Sequence, residues 1–127
     1  MTTVLRLNYA ESVRLDHSQL EVLYQSLGAV GADKVVNHAL EELASGLMQV
    51  GKQYRAGDMD ELRTSVRGVI AAAQQVGMTL LARVGRDVLD LSHSYDAVAF
   101  AATVARLERI GEGSLVAVWE LQDMSSI

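Results

Sequence analysis

The sequence predicts an all-α protein: an up-and-down antiparallel four-helix bundle with a short N-terminal helix capping one end. Three observations carry that prediction. The chain of 127 residues contains no proline, so no position is barred from a helix interior on that account. Apolar residues recur at three- and four-residue steps along most of its length, which places them on one stripe of a helix. The stops between stripes are short and marked by glycine, and short connections make successive helices antiparallel neighbours. One domain over residues 1–127 is expected, long enough for a sizeable core. With one tryptophan, four tyrosines and one phenylalanine, that core must be built mainly from Leu, Val and Ala.

The pattern opens at LDHSQLEVLYQSLG, residues 15–28. Asp16 with Gln19 three residues later reads as a capping box, and Leu15 is placed to staple onto Leu20. Leu20, Leu23, Tyr24 and Leu27 then share one face, and Gly28 closes this short helix. A long second helix is expected from about Ala32 to Arg55. Its stripe of Val36, Leu40, Leu43, Leu47, Val50 and Tyr54 alternates four- and three-residue steps, as in a bundle seam. Gly57 is its stop. Asp58 with Glu61 reads as a second capping box, opening a third helix with Leu62, Val66, Val69, Ala73 and Val76 on its inner face.

Gly77 ends the third helix, and a tight turn leads to a fourth bearing Leu81, Val84, Val88 and Leu91. LSHSYD, residues 91–96, is the next connection. A fifth helix starts near Tyr95, with Phe100, Val104 and Leu107 facing inward. Gly111 and Gly113 weaken it. Beyond them LVAVWEL, residues 115–121, fits a resumed helix or, being β-branched and alternating, a strand; helix is preferred for residues 114–122.

Composition narrows the function. A formal charge of −5 argues against nucleic-acid binding, which leaves a basic footprint. The absence of cysteine removes disulfides, zinc fingers and thiol catalysis together. No apolar run approaches the roughly 18 residues of a membrane span, and MTTVLRLNYAESVR has no signal-peptide core. A soluble, cytoplasmic protein with no membrane partner is expected.

Little in the chain suggests reaction chemistry. His17 falls in the first turn of the first helix, His38 at the edge of the core between Val36 and Leu40, and His93 in the connection before the last helix. None are spaced i, i+4, and no HExxH pattern exists, so no metal site is expected. Glu41 and Glu42 read as a solvated helix face, and Asp58 and Asp60 as negative charge at a helix start. GAVGAD, residues 28–33, lacks the Lys-Ser or Lys-Thr of a phosphate loop. No catalytic residue and no cofactor are expected.

The order of signals resembles another kind of protein. An LDxxxLxxL opening, a long amphipathic helix ending in Gly57-Asp58, an apolar Leu62 four places on, and a glycine at 77 together resemble the histidine-containing phosphotransfer (HPt) domain family. The resemblance spans roughly Arg14 to Ile110. In that family a helix carries His-x-x-Lys-Gly, and its histidine exchanges phosphate with an aspartate of a receiver domain. In the ungapped register this chain reads RGVIA: Arg67 at the histidine position, Ile70 at the lysine, Ala71 at the glycine. A second register reads TSVRG, with Thr64 for His, Arg67 for Lys and Gly68 intact. It requires three extra residues before Gly77, and the ungapped register is preferred. Neither supplies a histidine, and a phosphothreonine ester lacks the transfer potential of a phosphoimidazole.

Helix geometry points to the same residues. At about 100° per residue, Arg67 lies roughly 140° from the centre of the apolar stripe and Ala71 roughly opposite it. The expected docking face is Arg63, Arg67, Ile70, Ala71 and Gln74. The resemblance implies a response-regulator receiver domain or a histidine kinase as partner, bound without phosphate transfer. Two alternatives remain: phosphotransfer through an off-motif histidine, His38 or His93, and a self-associating bundle, possible as a homodimer through LVAVWEL with Trp119.

Overall fold

The computed structural model describes residues 16–125, with side chains at residue 16 and over 18–120. Four helices follow one another: α1 (His17–Ala56), α2 (Met59–Gln75), α3 (Thr79–Leu91) and α4 (Ala97–Ser125). Each packs on its successor, and α4 returns to α1. This is the up-and-down bundle that the stripes predict.

The expected first and second helices are the two parts of α1. They meet at Gly28, whose φ of 75° and ψ of 170° break the helix in a region open essentially to glycine alone. Asp16 caps the first part, its carboxylate accepting from the Ser18 and Gln19 amides at 3.0 and 3.3 Å. Gln19 does not complete the box. Its side-chain amide donates to the Gln74 carbonyl instead, while the Asp16 N–H donates to Gly77 O at 2.7 Å. These bonds seat the short helix over the α2–α3 turn, where a Cβ on Gly77 would come within 2.8 Å of the Asp16 carbonyl.

Leu20 and Leu23 pack against the core from that seat. Tyr24 and Leu27, expected beside them, are exposed. Tyr24 reaches instead across the break and donates to Asp33 Oδ1 at 2.5 Å. That bond, followed by partial burial and the carboxylate's charge, holds the Tyr24 hydroxyl above the ordinary tyrosine pKa. The proposed staple residue, Leu15, lies outside the described residues.

Two turns are built alike. At the end of α1, Gly57 adopts φ 71° and the Asp58 amide donates back to Gln53 O at 2.9 Å. At the end of α2, Gly77 adopts φ 77° and the Met78 amide donates back to Ala73 O at 2.8 Å. Both satisfy carbonyls that a helix end leaves open. Asp58 does occupy the N-cap of α2, but its side chain makes no capping bond there. Asp96 caps α4, accepting from the Ala99 amide at 2.9 Å.

Leu43, Leu62, Met78, Leu81 and Leu107 are the largest fully buried side chains, surrounded by Val50, Val66, Val69, Val84 and Val104. Each such burial contributes about 1.5–3 kcal/mol. Tyr54 and Phe100 meet with ring centroids 5.7 Å apart, joining the end of α1 to the start of α4. α4 runs unbroken through Gly111 and Gly113, so residues 114–122 are helical. Gly111 serves contact rather than interruption: a Cβ there would lie 2.5 Å from Leu47 Cδ1.

No helix among the described residues is long and apolar enough to cross a membrane. Nor does any described buried side-chain nitrogen or oxygen lack a hydrogen-bond partner.

Candidate functional site

α2 is held on two sides. Towards α1 and the core it presents Leu62, Val66, Val69 and Ala73, all buried. Towards α3 it presents Arg63 and Ile70. Residues a full half-turn from the stripe, Thr64, Arg67, Gly68, Ala71 and Gln74, face solvent.

This placement revises the expected face. Arg63 is not free to meet a partner: its side chain is only 18% exposed. Its guanidinium donates to Ser92 Oγ at 2.9 Å, to Ser92 O at 3.0 Å and to Asp60 Oδ1 at 3.0 Å. It therefore ties α2 to the C-terminal end of α3, where a cation also suits the helix dipole. Ile70 is half-buried against the core, because it fills the space left by Gly85, where a Cβ would fall 2.6 Å from Ile70 Cγ1. The helical wheel gives the reason. Arg63 and Ile70 lie only about 100° and 80° from the stripe centre, whereas Thr64 and Ala71 lie within about 20° of the opposite direction.

Arg67 and Ala71 do sit on the outward face, and Gln74 stands at its upper end, where its carbonyl receives Gln19. Arg67 joins no ion pair among the described residues. Gly68 is the residue that the expected face left out. It is exposed, and a Cβ built on it would meet nothing within 4 Å. A glycine in a helix interior costs roughly 0.8–1 kcal/mol relative to alanine. Gly46, Gly85 and Gly111, also inside helices, each have a side chain of a neighbouring helix where a Cβ would fall; Gly68 has none.

Beside Gly68 a groove of about 430 Å³ runs between α1 and α2. His38, Glu41, Glu42, Ser45 and Gln49 line one side, and Ser65 and Gly68 the other. His38 was expected at the edge of the core, but its side chain is 69% exposed, with Nε2 3.3 Å from Glu42 Oε1. Two residues from Val36 and from Leu40, it points about 160° away from either. Glu41 and Glu42 are exposed as expected. His93 is exposed in the α3–α4 turn, far in sequence from this surface; the side chain of His17 lies outside the described ones. Among the described residues, no three His, Asp or Glu side chains gather as a metal site would require.

At the far end of α4, Leu115 and Val118 point inward while Val116 and Trp119 are exposed. The LVAVWEL segment is thus amphipathic as a helix, with Trp119 on its outer side.

No family model matches this chain. No curated protein and no solved structure matches it either.

Proposed function

We propose that this protein is a docking module of a phosphorelay: an HPt-like bundle that binds a receiver domain, or a histidine kinase, through the outward face of α2 without itself carrying phosphate. The single observation behind the reading is Gly68. An exposed glycine that destabilises its own helix and accommodates no neighbour is explained by a partner whose surface comes within a side chain's reach of the α2 backbone. Thr64, Arg67, Gly68 and Ala71 make that surface low and nearly bare, with one cation standing on it.

The exposure pattern supports the TSVRG register over RGVIA. Thr64, Arg67 and Gly68 all face solvent, whereas the RGVIA register assigns the family's lysine to half-buried Ile70. On that register Arg67 keeps the positive charge of the family's lysine and Gly68 keeps the close approach. Only the phosphate-accepting residue is replaced. A receiver domain of the family presents an acidic pocket to this surface, and a guanidinium can pair there with a carboxylate in bidentate fashion. Binding survives such an exchange and transfer does not.

The test is calorimetry against purified receiver domains encoded in the same genome. Arg67→Glu should weaken binding at least tenfold while leaving helicity and melting temperature unchanged. Unaltered affinity in a folded variant contradicts the reading.

One observation favours a second reading, phosphotransfer through His38. Its imidazole is exposed, paired with Glu42, and lines the same groove as Gly68. A receiver's aspartyl phosphate would then pass its phosphoryl group to a ring nitrogen, the P–O bond to the carboxylate breaking as the P–N bond forms. Acid-labile, base-stable label that disappears in His38→Ala is the expected mark; no label on incubation with a phosphorylated receiver excludes it.

A further inference from the structure

We infer that a second copy of this chain packs on the outward face of α4, the two helices running antiparallel about a two-fold axis. The inference stands apart from the docking reading, which concerns α2. α4 packs between α3 and α1, diagonally across the bundle from α2. A pairing through α4 therefore leaves both α2 faces open.

α4 carries two residue series back to back. Val104, Leu107, Gly111, Ser114 and Val118 are buried against the bundle. Two residues before each of these, about 200° round the helix, stand Ala102, Ala105, Arg109, Glu112 and Val116, and Trp119 comes next. All six are exposed, and from 102 to 119 no other residue of α4 is. A helix face turned to solvent is ordinarily polar or charged along its length. Here Ala, Val and Trp occupy both ends, and the two charges stand together in the middle. Val116 is 38% exposed and Trp119 49%.

The order of these residues selects the occupant. Laid antiparallel so that Arg109 of one copy meets Glu112 of the other, the seam complements itself throughout. The same register sets each Val116 over an Ala105 and each Trp119 over an Ala102. Opposite charges meet, and each large side chain meets a small one, as interdigitating helices require. The two-fold axis repeats every match, and such a contact closes at two copies. A parallel pairing would set arginine on arginine, glutamate on glutamate and tryptophan on tryptophan, and like charges so placed are costly. Neither Arg109 nor Glu112 joins an ion pair among the described residues, so pairing between copies breaks none within a chain. A charged pair at the centre of a seam contributes register more than affinity.

Two measurements on the full chain test this. In the first, sedimentation over a range of concentrations should show the mass rising to twice that of one chain. Arg109→Glu or Glu112→Arg alone sets like charges together and should weaken the dimer at least tenfold. The Arg109→Glu/Glu112→Arg double variant should restore it. Helicity should match the parent in all three, because both positions are exposed. The mass of a single chain at every concentration overturns the inference. So does a dimer that is indifferent to the single reversals, or one that the double variant fails to restore.

The second measurement reads direction. The chain has no cysteine, so Ala105→Cys and Val116→Cys each supply its only thiol. Antiparallel copies bring these two positions within disulfide reach of each other, while each stays roughly 16 Å along the axis from its own counterpart. An equal mixture of the two variants should form a mixed disulfide under mild oxidation, and neither variant alone should link. Linking of either variant to itself overturns the antiparallel arrangement; no link in any sample overturns the contact. Arg67→Glu should leave the dimer unchanged, so failure here and failure of the docking reading are told apart.

Discussion

Gly85 and Gly68 are both glycines in the middle of helices, and the reasons for them are opposite. Gly85 is buried on α3 where Ile70 of α2 presses against it, so its missing side chain is occupied by a neighbour of the same molecule. Gly68 is exposed on α2 with an empty space where its side chain would be. The first glycine contributes packing that offsets its cost to the helix; the second costs stability that nothing in the bundle returns. The contrast separates what α2 does for the fold from what it offers to another molecule.

Substitutions at the two positions should therefore move stability in opposite directions. The largest effect is expected at Gly85. Gly85→Val forces its branched side chain into Ile70 and should destabilise by about 2–3 kcal/mol, read as a drop in the midpoint of urea unfolding. Arg63→Ala comes next. It removes two hydrogen bonds that join α2 to Ser92 at the end of α3 and a third to Asp60 within α2, and about 1–2 kcal/mol of loss is expected. A neutral outcome would return Arg63 to the list of residues free to meet a partner.

Gly68→Ala should act the other way, stabilising by about 0.5–1 kcal/mol while weakening receiver binding. A variant that is more stable and binds equally well would remove the argument for close approach.

The smallest expected effect concerns the break in α1. Tyr24 is hydrogen-bonded to Asp33 across Gly28, and its pKa is raised. A raised folded pKa means that the contribution to stability is complete below the unfolded tyrosine pKa of about 10 and is lost as pH rises through the folded value. Spectroscopic titration of the tyrosines should show one component above the ordinary range, and Tyr24→Phe should abolish it.

The fold was legible because its signals are redundant. The Val36–Tyr54 seam and the glycines at 28, 57 and 77 would each suffice to mark a helix or a stop, and they agree. The last helix was less clear, since Gly111 and the alternation of LVAVWEL both argue against continuity. Its continuity follows from contacts that lie far apart in sequence. Leu47 fills the space beside Gly111, and the buried Ser114 hydroxyl donates back to Ile110 O at 2.7 Å, leaving no polar group of that turn unmet. Among helix starts, Asp16 and Asp58 look equivalent in sequence, yet only Asp16 makes its side-chain cap.

The candidate face was half legible. Arg67 and Ala71 were found from their angle to the apolar stripe. Arg63 and Ile70 were placed beside them although their angles are nearer to a neighbouring helix than to solvent; which side α3 occupies is a property of the bundle, not of α2. Gly68 was set aside with the TSVRG register, which needs three extra residues before Gly77, and its angle to the stripe does not tell solvent from a neighbouring helix. The structure decides by leaving the space beside it empty.

Titration of receiver domains into the wild-type protein, Arg67→Glu and Gly68→Leu by calorimetry tests the central claim most directly. The account predicts that one receiver or more binds the wild type, that both substitutions weaken it at least tenfold, and that both variants melt as cooperatively as the parent. A receiver that binds all three proteins equally would place its contact elsewhere on the bundle and contradict the assignment of the α2 face.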